Sequence, residues 1–223
     1  MLELTEVNHH IQKYILSKLM RQKVARFRDL RPPSVDTNLY SYHLKLLLKS
    51  AFVDKTDGGY TLGIRGLEYI DRVNADKLFV RTQPKIITML VVQNSDGDLL
   101  LQRRTKQPYI DTWTLPYGKL HIDDRSVVAA GERESYEKLG LKNQVVTHAG
   151  DCYIRVINGD EVVSSTLVHV CRFDRDDIVT DENLMWVRPH KLAQYELAPA
   201  VEDIVARTFF KDSFYFEEYD VQI

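Results

Sequence analysis

The chain has 223 residues, 44% of them hydrophobic and 28% charged, with a formal net charge of −2. That length suits one small and one medium domain, and the apolar share excludes a largely disordered chain. No apolar run reaches the length of a membrane span, and the first residues lack the basic-then-apolar order of a secretory signal, so a cytoplasmic protein with no membrane partner is expected.

The overall charge hides an asymmetry. Residues 1–83 hold 14 Lys and Arg against 9 Asp and Glu, a net of +5, while the remainder holds 16 against 23, a net of −7. A basic front half suits a polyanion, and an acidic back half suits a divalent metal. Taken in order, residues 8–22 repeat Ile11, Tyr14, Ile15 and Leu19 at helical spacing, and Pro32-Pro33 stops any helix after Leu30. Asp36 or Thr37 caps a second helix running to about Ser50, with Leu39, Leu44, Leu47 and Leu48 as its apolar stripe. Phe52-Val53 begins a strand, Asp57-Gly58-Gly59 turns it, and Tyr60-Thr61-Leu62 returns. Residues 64–79 read as a closing helix, and Pro84 marks a boundary.

Beyond Pro84 the period changes. Ile86–Val92 is a nearly continuous apolar run, as a buried strand requires. A turn at 94–98 leads to Leu99-Leu100-Leu101, which ends in Arg103-Arg104. A loop with Trp113 and Pro116 precedes a helix over 124–139. Two long strands near 144–157 and 161–173 are joined by Asn158-Gly159-Asp160. A short strand at 185–187, a helix at 199–210 and an aromatic, acidic tail complete the chain. The tail packs either on a neighbour or on its own domain; the residues leave both open. Cys152 and Cys171 stand in apolar, strand-like text and read as buried thiols. The seven histidines show no metal-ligand spacing and read as scattered structural residues.

The helix with Ser41-Tyr42-His43-Leu44-Lys45, followed by the hairpin around Gly58-Gly59, resembles bacterial winged helix-turn-helix regulators over roughly residues 8–75. That resemblance implies that Asn38, Tyr40, Ser41 and Tyr42 face the major groove of double-stranded DNA, with Lys45, Lys49 and Lys55 meeting phosphates. The helix carries no Arg for bidentate reading of guanine. A homodimer is expected if DNA is the partner, and docking or dimerisation is the competing use of such a domain.

Residues 118–141, GKLHIDDRSVVAAGERESYEKLGL, resemble the Nudix box, with Arg133, Glu134, Glu137, Gly140 and Leu141 in place. Leu99–Arg104, Trp113, Pro116 and Gly118 resemble the approach to that box, and the likeness covers roughly residues 84–210. The resemblance implies an α/β fold: an α/β/α sandwich around a mixed sheet, here over residues 83–223, after a winged helix over 1–82. Glu134 and Glu137 lie at i and i+3 on one helical face, where carboxylates hold Mg2+ or Mn2+ against a diphosphate. Arg133 orients a carboxylate. Arg103, Arg104, Gly118 and Trp113 are candidate contacts to a nucleotide-diphosphate-like ligand, and Tyr109 or Trp113 is placed to stack on a base.

The box departs from its pattern in three places. Lys138 stands where a second Glu of the pair belongs, and Ser135 replaces an aliphatic residue. Arg125 stands at the early acidic position, although a one-residue insertion after Gly118 restores Asp124 there as a further metal ligand. The expected activity is therefore a diphosphate hydrolase with a weakened metal site and an accessory DNA-binding domain. The alternative is a regulator whose degenerate Nudix domain senses a nucleotide-sugar-like ligand without cleaving it.

Overall fold

The computed structural model describes residues 7–73, 83–209 and 214–222. The chain divides into two compact units, Met1–Thr82 and Gln83–Ile223.

In the first unit, α1 (His10–Leu19) starts from a reciprocal cap: His9 accepts from the Ile11 amide, and the Gln12 side chain accepts from the His9 amide. This arrangement satisfies two amides that a helix start leaves without intrahelical partners. A 3-10 turn (Phe27–Leu30) follows, and then α2 (Thr37–Lys49), capped by Asp36, whose carboxylate accepts from the Asn38 amide at 2.7 Å. The buried face of α2 is Tyr40, His43, Leu44 and Leu47, rotated from the expected stripe, and Leu39 is 47% exposed. The cause is Tyr40. Its ring meets Phe27 edge-on, and its hydroxyl donates to the Phe27 carbonyl at 2.8 Å, so the aromatic residue takes the core position. Burial also pushes the Tyr40 hydroxyl pKa upward.

Strands β1 (Val53–Thr56) and β2 (Gly59–Leu62) form an antiparallel hairpin. At Gly59, φ is 138°, and a Cβ there would lie 2.4 Å from the Ala25 carbonyl oxygen, so glycine is required where the hairpin crosses Ala25. Helix α3 spans Ile64–Arg72; its expected continuation over 74–79 lies outside the described residues.

The second unit is built on an eight-stranded mixed sheet. The strands are β3 (Lys85–Gln93), β4 (Leu99–Arg103), β5 (Trp113–Thr114), β6 (Tyr117–Lys119), β7 (Thr147–Asn158), β8 (Glu161–Asp174), β9 (Leu184–Val187) and β10 (Tyr215–Gln222). Their order is β10-β7-β8-β3-β4-β5, with β6 also paired to β3 and β9 to β4. The β3–β8 and β7–β10 pairs are parallel. Alternation along β3 serves both faces. Ile87, Met89 and Val91 join the core that includes Val201, Ile204 and Val205 of α5 (Val201–Phe209). Leu90 and Val92 join the core against which Val127, Val128 and Leu139 of α4 (Val127–Leu139) pack. The result is helix on sheet on helix, which explains the unbroken apolar run read from the sequence.

The tail is the strand β10. Tyr215 lies over Gly150, where any Cβ would meet its ring at 2.5 Å, so the tail packs on its own unit. Burial pushes the Cys152 thiol up to about 11 and the Cys171 thiol up to about 12, and both cysteines are free and buried. No helix among the described residues is long and apolar enough to cross a membrane.

Candidate functional site

Helix α4 carries the site. It begins at Val127, three residues later than expected, because Ser126 is the N-cap and accepts from the Ala129 amide at 3.0 Å. It ends at Gly140, whose φ of 71° is the left-handed cap glycine allows. Its inward face is Ala130, Gly131, Glu134 and Ser135. Ser135, at the aliphatic position of the box, is buried and returns its hydroxyl to the Glu132 carbonyl at 2.7 Å.

Glu134 is a buried carboxylate, 2% exposed. Its Oε1 accepts from Arg133 Nη1 at 2.6 Å, and its Oε2 has no hydrogen-bond partner among the described residues. The carboxylate lies against the Cα of Gly118 in β6; a Cβ there would sit 1.8–2.0 Å from its atoms. Gly118 therefore makes room for Glu134 and is not needed for an unusual backbone angle. Glu137, half exposed, stays near the same guanidinium, with Oε2 at 3.4 Å from Arg133 Nη1.

Asp124 has a different role from the expected one. Both of its oxygens are taken by Arg133, from Nε at 2.9 Å and Nη2 at 2.8 Å, and it also accepts from the His121 amide. Chiefly the hydrogen bond from Arg133 holds its carboxyl at about 2, well below the usual carboxylate range, and the same bond raises the pKa of the Arg133 guanidinium. Asp124 orients Arg133, and its place as a metal ligand is corrected accordingly: both oxygens are already engaged. Arg133 Nη2 also donates to the Lys119 carbonyl, tying the helix to β6.

Beside this cluster is a cavity of about 570 Å³ whose lining includes Arg103, Arg104, Lys106, Gly118, Lys119 and Lys138, with no carboxylate among the described residues. Lys138 is exposed and enters no ion pair among the described residues, so its ammonium is free for an anion in that cavity. Arg103 pairs with Asp111 at 2.9 Å on the rim. Arg104 is fixed: Nε donates to the Pro108 carbonyl, Nη1 donates to the Tyr117 hydroxyl at 2.6 Å, and the guanidinium faces the Tyr109 and Tyr117 rings.

Arg104, Thr114 and Tyr117 also line a second, mostly apolar cavity of about 120 Å³, with Ile87, Met89, Tyr109 and Ile154. One site thus joins an aromatic and aliphatic pocket to a cationic one. Trp113 lines neither cavity; its ring packs on the core, which corrects its place among the ligand contacts. Lys106, Lys119 and Tyr117 were not singled out by sequence reasoning. Tyr117 and Lys119 flank Gly118 in β6, and that adjacency was the available signal.

In the first unit, Asn38, Tyr42, Lys45 and Lys49 are all exposed and recur at i, i+4, i+7 and i+11, so they form one stripe on α2. Lys55 is exposed in β1, and Ser41 is half-buried at the edge of the stripe. Tyr40 is removed from the candidate DNA surface by its complete burial.

A NUDIX domain model matches residues 83–208. Among solved structures, the mutator MutT protein of Bacillus halodurans is 16% identical, with a TM-score of 0.51 over 61% of this chain and 89% of that one. The NUDIX domain of Shewanella oneidensis NrtR, in a structure with ADP ribose, is 16% identical, with a TM-score of 0.48 over 64% and 96%. The MutT protein of Methanosarcina mazei Go1 is 23% identical, with a TM-score of 0.47 over 59% and 96%. At these identities the first likeness is one of fold.

Proposed function

The chain belongs to the NUDIX domain family, and on that premise we propose that its second unit binds a nucleoside diphosphate linked to a further group and hydrolyses the diphosphate with one Mg2+ or Mn2+ ion held by Glu134 and Glu137. The observation that carries this reading is the Oε2 atom of Glu134: a buried carboxylate oxygen without a partner among the described residues, beside a cavity lined by cations. Leaving such an atom unpaired is costly, and a hard dication with oxygen ligands is the group its chemistry suits. A bound ion supplies polarisation of the phosphoryl oxygens.

The chain's own residues do the rest. Gly118, which lines the cavity, leaves room for the Glu134 carboxylate directly behind it. Asp124 fixes Arg133, and Arg133 in turn holds Glu134 in one rotamer and stays near Glu137. Lys119, Lys138 and Arg103 attract the diphosphate, while Arg104, already pinned between tyrosines, contributes a charge that needs no reordering. The apolar pocket with Tyr109 and Tyr117 receives the base or another flat group.

A second reading is favoured by one residue. Lys138 brings a cation where the family pattern has a carboxylate, which strengthens anion binding and weakens metal binding. With that balance the second unit becomes a ligand sensor, and the first unit, read as a winged helix-turn-helix, binds double-stranded DNA through the α2 stripe as a homodimer. Incubation of the protein with Mn2+ and a panel of nucleotide sugars separates the two. Metal-dependent release of nucleoside monophosphate, lost in Glu134→Gln, supports the hydrolase; tight binding without release supports the sensor.

A further inference from the structure

We propose that His148, Asp151 and His169 form a binding site for a transition-metal dication such as Zn2+, Co2+ or Ni2+, separate from the carboxylate site on α4. Sequence spacing did not reveal it, because two strands bring these residues together. Strand β7 carries His148 and Asp151, β8 carries His169, and the antiparallel register sets Asp151 opposite His169. A register irregularity between His148 and Gly150 accompanies the approach of the His148 ring to the same place.

His148 Nε2 and His169 Nδ1 each lie 2.7 Å from the same oxygen, Asp151 Oδ1. One potential ligand atom from each residue falls within 4.8 Å of the others. In a tetrahedral site with bonds near 2.0–2.2 Å, ligand atoms stand about 3.3 Å apart. The three donors therefore reach a common ion by side-chain adjustments on the order of 1 Å, without moving the sheet. Their backbones are held firmly, since β7 is paired on both sides by β8 and β10, and β8 by β7 and β3. The three side chains are partly exposed, so a dication enters from solvent and keeps an open position for water or another ligand. Phe214 meets the His148 ring edge-on and covers one side.

The donor set decides the metal. Two imidazoles and one carboxylate suit zinc, cobalt, nickel or copper, whereas magnesium and calcium prefer an all-oxygen shell. The place decides that the site is distinct. Gly118 pairs with Thr88, and Thr88 pairs with His169, so two strand spacings, roughly 10 Å, separate the backbone beneath Glu134 from that of His169. An ion held by the histidines is thus not one that Glu134 and Glu137 share.

Cobalt is the probe of choice, because its visible d–d absorption reports coordination directly. The full chain, stripped with chelator, is titrated with Co2+ in excess Mg2+. The expected result is one saturating set of bands, displaced by Zn2+ and untouched by Mg2+. Asp151→Asn and His169→Gln should each weaken Co2+ binding by at least about tenfold, with His148→Gln as a third variant should either of the others fail to fold. Metal-free melting of each variant reports folding. The rival imidazole cluster is the stack of His9, His10 and His43 in the first unit. Bands that survive in folded His169→Gln and His148→Gln, bands lost only in His43→Gln, or no bands in the wild-type chain would each overturn the proposal.

Discussion

Replacing Gly118 by alanine tests the geometry on which the site depends. The new methyl group would sit 1.8–2.0 Å from the carboxylate atoms of Glu134. Ordinary carbon contacts begin near 3.5 Å, so the carboxylate must retreat by about 1.5 Å. The obstacle is the end of a flexible side chain, so Glu134 yields and the strand stays. The cost is the 2.6 Å ion pair with Arg133 together with local overpacking. Each is worth about 1–3 kcal/mol, and because the side chain relaxes the sum should stay near 2 kcal/mol. For a unit of this size that lowers the melting temperature by roughly 5–10 °C.

The larger effect concerns metal. Binding of the proposed ion should raise wild-type stability by about 2.7 kcal/mol at a hundredfold excess over Kd, and Gly118→Ala should show almost none of that rise. Differential scanning calorimetry with and without Mn2+ measures both quantities. Gly140→Ala is the control: it forces a left-handed alanine at the helix end, costs about 1 kcal/mol, and should leave the metal response intact. Unchanged melting together with an undiminished Mn2+ response in Gly118→Ala would refute the placement of Glu134 against Gly118.

Other outcomes follow from the same contacts. Glu134→Gln should abolish the Mn2+-induced rise in melting temperature, measured by calorimetry, and a rise that persists would place the ion elsewhere. If the Lys138 cation suppresses catalysis, Lys138→Glu should increase turnover with Mn2+ in a phosphate-release assay; no change in a folded variant removes that role from Lys138. The Asp124 carboxyl is held at about 2 in the folded chain, against about 3.9 in an unfolded one. A depressed pKa contributes stability that is fully present above the unfolded value and is lost as pH falls through the folded value. The contribution should therefore fade between about pH 4 and pH 2, and acid unfolding of Asp124→Asn should lose that component. Lys45→Glu combined with Lys49→Glu should remove most DNA affinity without unfolding the first unit, as both are exposed, and wild-type binding should fall steeply with salt in an anisotropy titration.

Much of the second unit was legible in the sequence because its signals are local. Glu134 and Glu137 share a helical face by spacing alone, and the β3 run announces burial on both sides. The misses arise where distant residues decide. Leu39 and Tyr40 exchange places because Phe27, thirteen residues upstream, supplies the partner for the tyrosine. Asp124 reads as one more carboxylate until Arg133 is seen taking both of its oxygens. The polar, aromatic tail hides a strand because β10 has a partner, β7, more than sixty residues earlier. The histidine pair is hidden for the same reason: the register shift between Val156 and Ile157 makes counting outward from the Asn158-Gly159 turn pair Asp151 with Val168, whereas its partner is His169.

Hydrolysis itself is read most directly as nucleoside monophosphate release from a nucleotide-sugar panel by the 223-residue chain with Mn2+, set beside Glu134→Gln and Lys138→Glu. Metal-dependent release by the wild-type chain and its loss in Glu134→Gln are the expected results. Ligand binding with no release from the wild-type chain or from Lys138→Glu, at any metal concentration, would contradict the hydrolase reading and leave the second unit a sensor.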